Sequence, residues 1–347
     1  MTTSESNAAP APPATVVITG ATGFVGRHLC PALIAMGIPV RGITRNCAKA
    51  QRRWPEIEWA EADVADNKAV EKALAGCAVA YYLVHSIGED GDYRQREFDA
   101  ARNFALAAQR AGIERIVYLG GVAPQGPASE HLASRLQVGE ALRAGSVPTV
   151  ELRAGMIVGD GSLSWRIVRD LAARLPVMLI PRWMLSRMEP VAIDDVVVAL
   201  VAARAIDLAH GTVYDLPGPD QLSGRQIVEW TADALGLARP MIVRVPVLTP
   251  GLSAHWLRLV SGVDFSAARQ LVLGFTADLL AEDDRYWHLI GHHTRLSFPE
   301  AAGRALRAEA LARRPLTWRA AFEHASRPLR LRRTQRPVVE QVSPVSN

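Results

Sequence analysis

The sequence predicts an α/β fold: a Rossmann doubly wound parallel sheet with a smaller, interleaved C-terminal lid domain. Three observations predict it. Short β-branched runs alternate with helical stretches from Thr15 to Arg153. The first run is followed by glycines spaced G-x-x-G-x-x-G that open a helix. At 49% hydrophobic, the 347 residues have enough apolar side chain for a substantial core.

The elements follow in order. Thr15–Thr19 (TVVIT) is an apolar run of the length of a buried parallel strand. A helix runs from about Phe24 to Met36. Further strands fall near Pro39–Thr44, Ile57–Glu61, Val79–Val84, Arg115–Gly120 and Thr149–Arg153. Tyr93–Ala111 and Ser129–Ala144 are the clearest helices between them, closed by Gly112 and Gly145. Strands alternating with helices make βαβ units and a parallel sheet. After Gly155 the alternation breaks down. Ser164–Leu175 reads as a helix and Pro176–Pro181 as a loop or short strand. Asp194–Arg204 is a helix capped by Asp194 or Asp195, Gly211–Leu216 a strand, and Ser223–Leu235 a helix. The expected organisation is a disordered leader over 1–14 and a Rossmann domain over 15–160. A substrate or lid domain follows over 161–326, interleaved with the last sheet strands, then a disordered basic tail over 327–347.

Charge and cysteine content narrow the function classes. Net charge is +4, and from Arg327 onward five arginines face the single acid Glu340. The tail therefore carries the whole excess, and the near-neutral body has no field to gather nucleic acid. The tail leaves a peripheral membrane or protein contact open, although a terminal Arg/Pro stretch is more often solvated. The three cysteines, Cys30, Cys47 and Cys77, lack C-x-x-C spacing, which argues against a disulfide framework and a zinc site. No stretch is long and apolar enough for a transmembrane helix. The leader lacks the basic-then-apolar pattern of a signal peptide, and a cytoplasmic setting is expected.

The strongest motif is Thr19-Gly20-Ala21-Thr22-Gly23-Phe24-Val25-Gly26, set between a strand and a helix. Gly20 permits the tight turn, Gly23 lets backbone approach a pyrophosphate, and Gly26 lets the helix pack closely. The helix N-terminus offers free N–H groups and a positive dipole end to phosphates. At the end of the second strand an NAD-preferring site would place an acid for the ribose hydroxyls. Here the run is Val40-Arg41-Gly42-Ile43-Thr44-Arg45-Asn46, and the Arg45 guanidinium suits a 2′-phosphate. The expected cofactor is NADP (NADPH), with NAD as the alternative.

These residues resemble a family. The turn, Asp63-Val64, Tyr82-Leu83-Val84-His85-Ser86, Tyr118-Leu119-Gly120-Gly121 and the run Leu152–Gly159 resemble the NmrA-like, atypical branch of the short-chain dehydrogenase/reductases. So do Pro190–Val196 and Val245–Pro250, and the similarity covers most of residues 15–325. The resemblance implies that Asp63 and Val64 flank the adenine. It implies that Val84, His85 and Ser86 line the cofactor between ribose and nicotinamide, and that Gly155 lies near the nicotinamide. The usual chemistry needs a Tyr and a Lys four residues apart on one helix face. The only lysines are Lys49, Lys68 and Lys72, all before that helix. In the matching segment, Ser129–Arg135, His131 stands for the tyrosine and Arg135 for the lysine, while Gly120-Gly121 replaces the usual serine. Two readings stay open. His131 relays a proton while Arg135 binds ribose or a substrate anion, or the pair is structural and only Arg135 holds the ribose. A neighbouring guanidinium keeps His131 mostly neutral.

The run Leu163–Trp183, with Trp165, Met178, Leu179, Ile180, Pro181 and Trp183, suits a pocket wall over the nicotinamide. Arg166, Arg169, Arg182 and Arg187 would bring charge to an acidic substrate; lid core and a solvated basic face are the alternative. Of His288, His292 and His293, the i, i+4 pair could share a helix face, but Gly291 interrupts the helix and nothing nearby supplies a convincing third ligand, so no metal is expected. Trp256, Leu257 and Leu259 lie in an apolar helix that fits internal packing, with a membrane or partner surface as the alternative. Two functions follow. One is an NADP-dependent oxidoreductase acting on a hydrophobic small molecule, a carbonyl, enone or quinone. The other is a non-catalytic redox sensor or assembly factor, since the resemblance extends to NmrA-type regulators and a respiratory complex I accessory subunit.

Overall fold

The computed structural model describes residues 14–84, 93–175, 177–180, 182–206, 211–244 and 277–312. The first half runs β1 (Val16–Thr19), α1 (Phe24–Ala35), β2 (Val40–Thr44), α2 (Cys47–Arg53), β3 (Glu58–Glu61) and α3 (Asn67–Leu74). It continues with β4 (Val79–Tyr82), α4 (Tyr93–Arg110), β5 (Arg115–Gly121), α5 (Glu130–Arg143) and β6 (Thr149–Ala154). The second half holds β7 (Ile157–Val158), α6 (Leu163–Arg174), β8 (Val177–Ile180), β9 (Arg187–Met188), β10 (Val191–Ala192) and α7 (Ile193–Ala203). Then come β11 (Thr212–Asp215), β12 (Leu222–Ser223), α8 (Gly224–Leu235), β13 (Met241–Arg244), α9 (Arg285–Leu289) and α10 (Phe298–Ala312).

Seven strands form one sheet in the order β11-β6-β5-β4-β1-β2-β3, all parallel. Strand order reverses at β1, the place where open α/β sheets bind ligands beyond their carboxyl ends. Successive side chains alternate faces. Val16, Ile18, Tyr81, Val117, Leu119, Val150 and Leu152 join α1 and α7 in one core. Val17, Tyr82, Ile116 and Tyr118 join α3, α4 and α5 in the other. Because β11 and α7 complete the sheet and its first layer, the second half of the chain returns to the body built by the first. A third core gathers α6, α8 and α10 around Trp165, Met178, Met188 and Phe298.

The ends of most helices fall where the sequence places them. Ser129 Oγ caps α5 by accepting from Leu132 N, and Ser223 with Gln226 forms a capping box on α8. The expected cap of α7 is corrected. Ala192 occupies that position without a side-chain cap, and Asp194 and Asp195 lie inside the first turn. Asp195 is buried and turned to other partners, the Leu296 N–H at 2.9 Å and His292 Nε2 at 2.7 Å. His292 is thus bonded to a carboxylate on α7, and His288 faces Asp284 at 3.4 Å. Residues 245–276, with Trp256, Leu257 and Leu259, and the tail from 327 lie outside the described residues.

Candidate functional site

The turn after β1 has the geometry its glycines predict. Gly20 sits at φ +69, and a Cβ there would lie 2.8 Å from the Leu83 carbonyl oxygen, so only glycine fits. Gly23 N donates to Gly20 O at 2.9 Å and closes the turn. A Cβ at Gly26 would overlap the backbone of Gly20 and Ala21, so α1 rests directly on the turn. Thr19 Oγ1 donates to Tyr81 O and accepts from Leu83 N, both at 3.1 Å, which locks the end of β1 to the end of β4. Gly23 is the N-cap of α1 and supplies no side-chain acceptor, so the first N–H groups of Phe24, Val25 and Gly26 remain for an anion. A glycine cradle and an uncapped helix start fit a pyrophosphate.

A cleft of about 890 Å³ opens at the carboxyl ends of β1 to β5. Of the residues expected from the sequence, Gly20, Thr22, Arg45, Asp63, Val64, Val84 and Arg135 line it together. His131, Gly155 and the turn residues Gly23, Phe24, Val25 and Gly26 are not among its lining residues, and His85 and Ser86 lie outside the described residues. At the β2–β3 end, Arg45 is joined by Lys49 and Arg53 of α2, one helical turn apart. Asn46 caps that helix by accepting from Lys49 N at 2.9 Å, and the Arg53 guanidinium lies 4.7 Å from the Trp54 ring. Asp63 accepts from Ala65 N at 3.0 Å and shapes the turn after β3.

At the β4–β5 end the cleft is walled by Tyr82, Tyr93, Glu97, Tyr118, Arg135 and Val138. Arg135 Nη2 donates to Leu119 O at 2.5 Å, and Tyr118 Oη donates to Arg135 O at 2.9 Å. Glu97 of α4 accepts a short hydrogen bond from buried Ser134. Burial pushes the Tyr118 phenol up, with Arg135 pulling it back, so it stays a protonated donor. Burial, then the Arg135 charge, lowers His131 to about 4, so it is neutral at pH 7. His131 and Arg135 share a helix, yet only Arg135 reaches the cleft.

The expected wall over the nicotinamide is corrected for two residues. Trp165 and Met178 are fully buried within the third core, Trp165 edge-on to Phe298. Arg169 pairs with Asp170 at 2.6 Å and Arg187 with Asp278 at 2.9 Å, so these two are spent on internal partners. Pro181 and the side chains of Leu179, Ile180, Arg182 and Trp183 lie outside the described residues. Sequence reasoning missed Lys49, Arg53, Tyr82, Glu97 and Tyr118 in the cleft. The i, i+4 spacing of Lys49 and Arg53 directly after Arg45 was the available signal.

A parallel sheet with this turn, this uncapped helix and a cleft across its switch point defines a dinucleotide-binding Rossmann protein. Residues 20–172 match the family model described as NAD(P)H-binding. The chain is 30% identical over 246 residues to ceramide reductase of Caulobacter vibrioides, covering 68% of this chain and 76% of that protein. It is 30% identical over 271 residues to sterol demethylase protein B of Methylococcus capsulatus, covering 69% and 80%. The chain belongs to the atypical short-chain dehydrogenase/reductases, an NAD(P)-binding family. Among solved structures, Citrobacter sp. triphenylmethane reductase complexed with NADP(H) superposes with TM-score 0.66 at 19% identity, over 84% of this chain and 99% of that one. UDP-glucuronic acid 4-epimerase from Bacillus cereus in complex with NAD gives TM-score 0.65 at 15% identity, over 86% and 99%.

Proposed function

We propose that the protein is an NADP(H)-dependent oxidoreductase acting on a bulky hydrophobic molecule that carries a carbonyl, enone or quinone. The observation that carries this reading is the triplet Arg45, Lys49 and Arg53 lining one end of the cleft. β2 ends in Thr44 where an NAD site would place an acid. Three cations converging on one wall repel one another, and a phosphate dianion offsets that repulsion. The glycine turn and α1 hold the pyrophosphate, and Arg135, steadied by Leu119 O, holds the ribose next to the reacting ring. When bound, NADP(H) supplies or accepts the hydride. His131 is neutral and off the cleft wall, which favours its structural reading and leaves the proton for the product oxygen to solvent. The relatives named for ceramide and sterol support a lipid-like substrate. Three free cysteines fit a reducing, cytoplasmic compartment, and no helix among the described residues is long and apolar enough to cross a membrane.

The position of His131 also favours the rival reading, a non-catalytic NAD(P)-binding sensor or assembly factor. Deuteride transfer separates the two. NADPH deuterated at the transferred position of the nicotinamide should leave deuterium on the carbinol carbon formed from a lipid ketone. Binding without any transfer supports the sensor.

A further inference from the structure

One strand of the sheet carries a charge where its neighbours are apolar. Val150 and Leu152 of β6 enter the α1–α7 core, and Glu151 between them faces α5, with no exposed surface. Its carboxylate pairs with Arg153 Nε at 2.7 Å and with Arg143 of α5. A carboxylate this deep stays ionised only beside partner cations. Two glycines make the room. A Cβ at Gly139 of α5 would overlap the carboxylate, and one at Gly120 of β5 would lie 2.9 Å from its Oε1. The carboxylate therefore sets how closely α5 approaches the sheet. The same Cβ at Gly120 would lie 3.2 Å from the Tyr118 ring, so the phenol stands beside the buried cluster. Its hydroxyl bonds the carbonyl of Arg135, and both residues line the cleft. Arg143 follows Arg135 by just over two helical turns.

We propose that Glu151 is a positioning residue: from inside the protein it fixes α5 on β5 and so presents Arg135 to the nucleotide. The proposal rests on the reading that the cleft takes NADP(H) and that Arg135 meets its ribose. Glu151 itself does not line the cleft.

The test is NADPH affinity, by calorimetry on the full chain, in the parent, Glu151→Gln, Arg135→Ala and the double variant. Glu151→Gln should weaken binding roughly tenfold, and Arg135→Ala should weaken it too. The double variant should bind no worse than Arg135→Ala alone, because Glu151 acts through Arg135. Losses that multiply, or an unchanged affinity in Glu151→Gln, overturn the proposal while leaving the cofactor reading intact. A parent that does not bind NADPH, or an Arg135→Ala variant that binds like the parent, overturns both. Should Glu151→Gln not fold, Gly139→Ala keeps every charge and lifts α5. It should show the same loss and the same non-additivity, and parental affinity there overturns the proposal.

Discussion

The hydroxyl of Tyr118 donates to the backbone carbonyl of Arg135 at 2.9 Å, tying the fifth strand to the helix that carries His131 and Arg135. The bond makes Tyr118 a fixed donor, and burial keeps its phenol protonated well above neutral pH. It also turns attention to His131, one helical turn before Arg135.

His131 should report its burial through stability. Its pKa is lowered from 6.5 to about 4, by burial first and Arg135 second. Between those values the unfolded chain binds the proton and the folded chain does not. Stability should therefore be full above pH 6.5 and fall as pH drops toward 4, approaching ~1.4 kcal/mol per pH unit. Urea midpoints at about pH 7 and 5 should fall further in the parent than in His131→Phe. Equal losses mean that His131 titrates normally. His131→Ala should cost turnover less than roughly tenfold, against the two to four orders of magnitude a positioned general acid contributes.

NADPH should bind more tightly than NADH. Arg45→Ala should remove most of the preference, and Lys49→Ala with Arg53→Ala the remainder, since all three line one wall. The preference should shrink as salt rises. Equal affinities for the two cofactors in the parent would sink the phosphate assignment.

Two glycines of the turn should fail differently. Gly23→Val places a branched side chain where the pyrophosphate approaches, with its Cβ 3.0 Å from Gly20 O. It should abolish NADPH binding and leave the melting temperature nearly unchanged. Gly26→Ala overlaps the backbone of Gly20 and Ala21 and should destabilise the fold by ~1–3 kcal/mol. Normal NADPH affinity in Gly23→Val places the cofactor elsewhere.

Trp165 should behave as a core residue. Trp165→Ala should cost ~3–5 kcal/mol in urea unfolding, while Trp165→Phe should keep NADPH affinity within about twofold, because the ring is wholly enclosed. A folded Trp165→Phe variant that no longer binds NADPH would mean the ring reaches the nucleotide.

The parallel sheet was legible because its periodicity is simple: apolar runs, helical stretches between them, and glycines at the one turn that needs them. The cofactor end of the site was legible for the same reason, since Gly20, Gly23 and Arg45 sit at fixed offsets from a strand. The substrate end was not. β4 and nearly all of β5 are buried along their length, so nothing in Tyr82 or Tyr118 marks which side chain borders the cleft. Trp165 reads the same whether its helix face meets a pocket or a core. Asp194 and Asp195 look like caps until Asp195 finds Leu296 and His292 about a hundred residues away. Glu151 did leave a signal, a lone acid inside an apolar strand, but its partners Arg143 and Gly139 belong to another element.

The proposed function rests on hydride transfer from a bound NADPH to a hydrophobic acceptor. It is tested most directly by anaerobic single-turnover oxidation of the NADPH complex, following nicotinamide absorbance. The acceptors are long-chain keto lipids, sterol ketones, enones and quinones, one at a time. At least one of them should oxidise NADPH stoichiometrically, and Gly23→Val should abolish that oxidation. A tightly bound NADPH that survives every acceptor contradicts the proposed function and makes the protein a nucleotide-binding sensor or assembly factor.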